Sequence, residues 1–231
     1  MAGINRMKNN MLCVFVLFGL AFTPALIVAE SEADWFAEFE QDTETVNEGG
    51  LIFLEKRPKQ PVHYLHNRIT ITPESLTTGW VRLSQCHEQL DSVPAAQIVF
   101  NPQRIRHLSV TSKHNIEAAW VDGPSVQLKQ VSKQAKVCID AETRAFNIED
   151  DGKYRLRNGP FMRRFLDGFY PMRLRLDVSF PNQLLRLVSV SPNPQSGFRL
   201  QQEDGKVSIE TLFEGKLYTE LLFSRQETRS E

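Results

Sequence analysis

The chain has 231 residues, 41% hydrophobic and 24% charged, with 27 Lys and Arg against 28 Asp and Glu for a net charge of −1. So weak an overall charge, together with an export-type N-terminus, argues against nucleic acid as a partner. No internal repeat or low-complexity tract is present.

Residues 1–29 read as a signal peptide. Arg6 and Lys8 precede a twelve-residue apolar run from Met11 to Phe22, broken only by Gly19, and no acidic residue occurs before Glu30. Ala25 and Ala29 supply the small residues that signal peptidase needs, with cleavage expected after Ala29. The alternative is an uncleaved inner-membrane anchor, since residues 11–29 are uncharged over nineteen positions, close to a bilayer span; only in that case is the membrane a partner. Cys13 opens the apolar run rather than closing it, so lipidation is not expected. The expected location is periplasmic. Removal of 29 of the 231 residues leaves 202, enough for one large domain or two small ones.

Residues 30–50 form an acidic arm or linker with eight carboxylates and no Lys or Arg, ending in Asn47-Glu48-Gly49-Gly50. A short helix over Asp34–Glu40 would put Trp35, Phe36 and Phe39 on one face. Residues 51–231 are mildly basic, with 25 Lys and Arg against 20 acids.

From Leu51 onward the hydrophobic period is two, the signature of half-buried strands. Arg173 to Phe180 alternates without a fault. Further strands are expected over 62–71, 80–83, 105–110, 116–121, 126–131, 137–140, 146–148 and 154–157, with turn chemistry at Asn101-Pro102, Asp122-Gly123-Pro124, Asp151-Gly152, Asn158-Gly159-Pro160 and Asp204-Gly205. Many short strands with few helices predict an all-β fold, an antiparallel β-sandwich of immunoglobulin-like or related type. Gly159–Pro171 interrupts the rhythm. A helix there would gather Phe161, Met162, Phe165 and Leu166 on one face, stop at Gly168, and let Arg163 and Arg164 pair with Asp167. That helix suggests a boundary between a lobe at 51–157 and a second lobe, or a continuation of the same sandwich, at 158–231.

The C-terminal pattern predicts a hairpin. Val207, Ile209 and Phe213 share one face, as do Leu217, Leu221 and Phe223, and the two faces coincide when Phe213 pairs with Leu217 across a loop containing Gly215. The two body cysteines, Cys86 and Cys138, are an even pair in an oxidising compartment and are expected to form a disulfide.

Catalytic motifs are missing: no Gly-x-Ser-x-Gly, no Ser-x-x-Lys and no phosphate-cradling glycine loop. The five His residues at 63, 66, 87, 107 and 114 show no ligand spacing, and His63 and His66, three apart, would point to opposite faces of a strand. No catalytic residue, metal site or cofactor is assigned. The most distinctive segment is basic and aromatic, and Arg155, Arg157, Arg163, Arg164, Phe165, Phe169 and Tyr170 are its candidate binding residues, suited to a protein or anionic surface partner. The expectation is a non-enzymatic periplasmic binding or assembly module. The rivals are a carrier of a lipid or other apolar ligand beneath the sheets, and an enzyme or metal-binding protein with a site assembled from scattered residues.

Overall fold

The computed structural model describes residues 47, 49–56, 58–165 and 168–226. The signal segment and nearly all of the acidic arm lie outside them. No described helix is long and apolar enough to cross a membrane.

In chain order the strands are β1 (Ile52–Phe53), β2 (Tyr64–Thr70), β3 (Trp80–Leu90), β4 (Val93–Val99), β5 (Ile105–Asp122), β6 (Ser125–Arg144), β7 (Phe146–Ile148) and β8 (Tyr154–Phe161). They continue as β9 (Arg163–Phe165), β10 (Gly168–Tyr170), β11 (Met172–Ser179), β12 (Leu185–Ser191), β13 (Phe198–Glu203), β14 (Lys206–Glu214) and β15 (Leu217–Arg225). The described helix is a single turn, α1 (Ser75–Thr78), closed by Gly79 in the left-handed conformation (φ 74°).

The main sheet runs β1-β14-β11-β2-β3-β6-β4, with β13 also on β14 and β5 also on β6; β12-β15-β8-β7 form a second sheet. The alternation at 173–180 becomes β11, whose Met172, Leu174, Leu176 and Val178 are buried while Arg175 reaches solvent. The fold is all-β and sandwich-like. Its described pairings are antiparallel except β2–β11, which runs parallel. The described residues fall within one compact unit, and both sheets draw strands from either side of residue 157.

Two apolar clusters fill the space between the sheets. One holds Ile69, Leu83, Leu176 and Ile209 of the main sheet with Phe146, Leu156, Leu221 and Phe223 of the second. The other holds Leu65, Leu174 and Phe213 with Phe161 and Leu217. Burying a large apolar side chain stabilises by about 1.5–3 kcal/mol, so these faces bind the sheets together.

A third cluster, built on Ile116, Val126, Leu128, Val131, Val137 and Ile139, belongs to a ribbon of three strand tracks. Along β6, residues 135–144 pair with β3 and residues 125–131 with β4, while β5 pairs with the whole length. Val99 pairs with Ser125 and Ile105 with Thr143. At about 3.3 Å per residue a straight β6 would hold those partners about 60 Å apart, yet the link from Val99 to Ile105 reaches only about 21 Å. The ribbon therefore curls back on itself around its own core. Its bends sit at register shifts beside His107 and Asn115 on β5, and at Gln130 and Gln134 on β6, each with φ between 50° and 60°. These bulges break the period-two pattern, which is why 105–110 and 116–121 read as two strands in sequence and form one strand in the fold.

Two expectations are corrected. Phe213 and Leu217 do not pair: β14 lies in the main sheet and β15 in the second. Val207, Ile209, Phe213, Leu217, Leu221 and Phe223 are all buried, but they face one another across the sandwich. A shared inward face fits an arch between sheets as well as a hairpin within one. Gly215 (φ 89°) makes the corner, where a Cβ would overlap the Gly50 carbonyl. The helix expected at 159–170 is instead the end of β8 followed by the small β9–β10 hairpin, in which Arg163 pairs with Tyr170 and Phe165 with Gly168. The apolar spacing at 161–166 suited a helix, but Arg163 finds its carboxylate in Asp91 of the β3–β4 connection, a non-local partner that favours extended backbone.

Cys86 and Cys138 are directly opposite in the β3–β6 ladder, with Cα atoms 4.1 Å apart and sulfurs at bonding distance. Thiol labelling under denaturing, non-reducing conditions should find neither cysteine free, and labelling only after reduction confirms the bridge. Two free thiols in unreduced protein would refute it.

Candidate functional site

Inward-facing positions of a sandwich are normally apolar. Here several are not. On β2, Asn67 stands between Leu65 and Ile69; on β3, Gln85 and His87 continue the inward series from Val81 and Leu83; on β8, Asn158 follows Leu156. The ladders bring them together, Asn67 opposite Gln85 and Asn158 opposite the buried Thr219 of β15. These residues form a polar layer where the two apolar clusters of the sandwich meet.

The layer walls a cleft of about 760 Å³ between the inner face of β2 and β3, the end of β8 and the returning segment 97–105 of the curled ribbon. Asn67, Gln85, His87 and Asn158 line it, and each is at least nine-tenths buried, with exposures of 4, 8, 7 and 9%. Asn67 Oδ1, Gln85 Oε1, His87 Nε2 and Asn158 Nδ2 have no hydrogen-bond partner among the described residues. A buried polar atom left unpaired costs about 1–3 kcal/mol, and native structures hold few of them. Of the five such atoms among the described residues, four lie around this cleft and the fifth is Thr219 Oγ1 of the neighbouring strand, a concentration that makes the cleft the candidate ligand site.

At the cleft wall, His63 Nε2 lies 3.1 Å from His87 Nδ1 with the two rings stacked, centroids 5.2 Å apart. Burial lowers the His87 pKa to about 3, reinforced by the charge His63 would carry. Burial also lowers His63 to about 4; the nearby Asp91 opposes that shift and Arg163 adds to it. Both rings are neutral at neutral pH. One ring therefore donates to the other and the second nitrogen of each is set by that tautomer.

The charged lining comprises Arg104, Arg144 and Arg157, and no described carboxylate lines the cleft. Arg144 N–H donates to the Arg104 carbonyl at 3.0 Å, so the two residues sit side by side where β6 ends and just before β5 begins. Arg157 lies 3.4 Å from Glu220 and over the Tyr218 ring.

Of the seven candidate binding residues of the basic-aromatic segment, Arg157 lines the cleft and the others do not. Arg155 is held between Glu149 (2.8 Å) and Glu220 (2.6 Å), which push its pKa up. Arg163 makes a two-pronged pair with Asp91 at 2.7 and 3.2 Å, its guanidinium over Phe165 and Tyr170. Arg164 lies over Phe169. Phe165, Phe169 and Tyr170 thus pack with the arginines of their own hairpin, and Arg163 clamps that hairpin to the β3–β4 connection beside His63. Sequence reasoning passed over Asn67, Gln85 and Asn158; the signal available was a carboxamide at an inward position of an apolar alternation. His63 and His66 do diverge: His66 bonds Asp177 at 2.7 Å on the outer face. No group of three or more His, Cys, Asp or Glu among the described residues could hold a metal ion.

A second concavity, about 530 Å³, lies on the outer face of the main sheet between Arg68, Arg82, Asp140 and Glu142. It carries charges of both signs and none of the unpartnered buried atoms, so the inter-sheet cleft is the better candidate.

No family model and no curated protein matches the chain. Among solved structures it is similar to a two-domain M1 zinc metallopeptidase bound to L-tryptophan, at 9% identity and a TM-score of 0.38, over 78% of this chain and 44% of that one. It is also similar to a candidate nutrient binding protein from Legionella pneumophila, at 11% identity and a TM-score of 0.36, over 77% and 70%. The chain spans less than half of the peptidase, and at these TM-scores neither similarity carries an argument.

The buried rings predict a pH dependence. In the unfolded chain a histidine protonates near 6.5, well above the folded values of about 4 and about 3. Stability is therefore complete above about pH 6.5 and declines as pH falls, at about 1.4 kcal/mol per pH unit for each ring. The decline from His63 ends near its folded value of about 4 and that from His87 near about 3. Urea unfolding between about pH 7 and pH 5 should show this slope, and His87→Gln should remove one ring's share of it. Equal slopes in parent and variant would mean that His87 is not buried as a neutral ring.

Proposed function

We propose that the chain is an exported, non-enzymatic binding protein that holds a small polar ligand in the inter-sheet cleft. The observation that supports this most directly is the set of four unpartnered polar atoms around one cleft. A protein selected only for stability would fill these positions with apolar side chains, as it does at Leu65, Ile69 and Leu83 beside them. Keeping buried polar groups incomplete is the trade-off expected at a ligand site. Export is supported by the charge and hydropathy order of residues 1–29 and by the paired cysteines.

The carboxamides weigh against a carrier of apolar ligands, which would leave the same atoms unpaired in the bound state. A hydrolytic or transfer reaction would call for an acid–base pair, and the wall offers neutral imidazoles without a carboxylate. The basic-aromatic hairpin is a weaker binding surface than its sequence suggests, because its arginines are largely spent on Asp91 and on their own aromatic neighbours.

Near-isosteric apolar replacements separate a ligand site from a structural network. Asn67→Leu and Gln85→Met should leave the empty protein as stable as the parent or more so, by about 1 kcal/mol each. A thermal-shift screen of small polar metabolites should give compounds that raise the parent's melting temperature, as binding to the native state requires, and the shift should vanish in the double variant. Replacements that each destabilise by about 1–3 kcal/mol would mean that these amides are structural. A ligand whose effect survives both replacements would place binding elsewhere.

A further inference from the structure

We propose that the cleft takes an acidic sugar, a hydroxyl-rich molecule carrying a carboxylate. The inference rests on the cleft being a ligand site and adds the chemistry of the ligand. Three features of the wall carry it.

The first is the deep end. Asn67, Gln85 and Asn158 are carboxamides, each with an acceptor oxygen and a donor nitrogen. The unpartnered atoms include acceptors, Asn67 Oδ1 and Gln85 Oε1, and a donor, Asn158 Nδ2. A carboxylate only accepts, so it cannot serve the two oxygens. A hydroxyl donates and accepts, and it matches whichever end of an amide faces it. It also meets His87 Nε2 in either tautomer. Several hydroxyls on one small frame complete the whole set.

The second feature is the charge. Arg104 and Arg144 line the cleft from adjacent positions, and neither has an ion-pair partner among the described residues. Some arginines elsewhere meet acids, as Arg106 does with Glu142 and Arg155 with Glu149 and Glu220; others, such as Arg82 and Arg186, do not, and what sets Arg104 and Arg144 apart is their place side by side on the cleft wall. A guanidinium pair without acids is suited to a carboxylate, through charge-assisted and two-pronged hydrogen bonds. The same absence of acids disfavours free amino acids, whose ammonium group would find no counter-charge at the wall.

The third is size and shape. The cleft, about 760 Å³, falls within the range of small-molecule sites, about 300–1,000 Å³. Phe161, Met162 and Tyr218 add apolar wall to the same cleft, against which the C–H face of a sugar ring can pack.

Calorimetric titration of the full chain tests this with glucuronate and galacturonate, their neutral counterparts glucose and galactose, and glutamate and succinate as non-sugar anions. An acidic sugar should bind about tenfold or more tightly than its neutral counterpart, as one charge-assisted contact implies. That preference should shrink as salt is raised, because the arginines are exposed. Arg104→Gln/Arg144→Gln should abolish the preference with the melting temperature unchanged, and Gln85→Met should remove binding of both sugars. Equal affinity for neutral and acidic sugars, or a preference indifferent to salt and to the arginine replacements, would overturn the acidic part. Binding of succinate or glutamate without any sugar would overturn the sugar assignment while leaving the ligand site intact. If none of these compounds binds while another polar metabolite stabilises the parent and not the Asn67→Leu/Gln85→Met variant, the inference falls alone; if no compound of either kind binds, both readings fall.

Discussion

The short link between Val99 and Ile105 governs this fold. Its ends join strands whose partners on β6, Ser125 and Thr143, are eighteen positions apart, so the ribbon can form only by curling. The bulges at Asn115, Gln130 and Gln134 absorb the bend, with side chains (Asn and Gln) that adopt positive φ at lower cost than β-branched ones. Curling gives the ribbon its own core and swings residues 97–105 back over the inner face of the sandwich. The cleft is what remains between the returning segment and the sheets, and Arg104 is delivered to Arg144 by the same return. A longer link would relax the curl and open the wall.

The polar layer bears on stability in a different way from the cores on either side of it. Leu156, Leu174 and Phe223 hold the sheets together by burial, and each could be exchanged for a similar apolar residue at modest cost. Asn67, Gln85 and His87 gain nothing comparable in the empty protein. Their positions are secured by backbone ladders, in which Asn67 faces Gln85 and Leu65 faces His87. The main-chain pairing is complete without the side chains, which leaves their polar ends available. Neutral imidazoles suit such a wall, because a charged ring there would need a counter-ion that the lining lacks.

Much of the strand content was legible in sequence because a half-buried strand writes its burial directly into alternation. β11 and β7 follow the pattern closely. β12 was not seen because its register shifts between Leu187 and Ser189, which puts Val188 out of phase, and β4 because Pro94 and two alanines weaken its signal. At the Gly215 arch, alternation says which side chains go inward and is silent about which sheet they belong to. Phe213 and Leu217 were placed on the right face and in the wrong pairing for that reason. At Arg163 the deciding partner, Asp91, lies 72 positions away, beyond the reach of any local pattern. The candidate site failed to show itself for a related reason. One inward carboxamide is an unremarkable irregularity, and only the ladders reveal that several meet at one cleft.

Charge tells the same story at larger scale. The body outside the acidic arm carries an excess of basic residues, and in sequence that excess is densest between Lys153 and Leu176. Folding redistributes it. Arg155, Arg163, Arg173 and Arg175 each meet a carboxylate, and the outer-face pairs His66–Asp177 and Lys136–Glu88 extend the pattern. Exposed pairs of this kind stabilise little, by about 0–1 kcal/mol, but each neutralises a basic side chain locally. The field that remains is set by arginines without acids. Arg104 and Arg144 at the cleft are such a pair, drawn from segments that looked ordinary along the chain, and low-dielectric walls focus a field of that sign toward the opening. Part of an excess that is diffuse in sequence is thus gathered at the point where the polar layer is left incomplete.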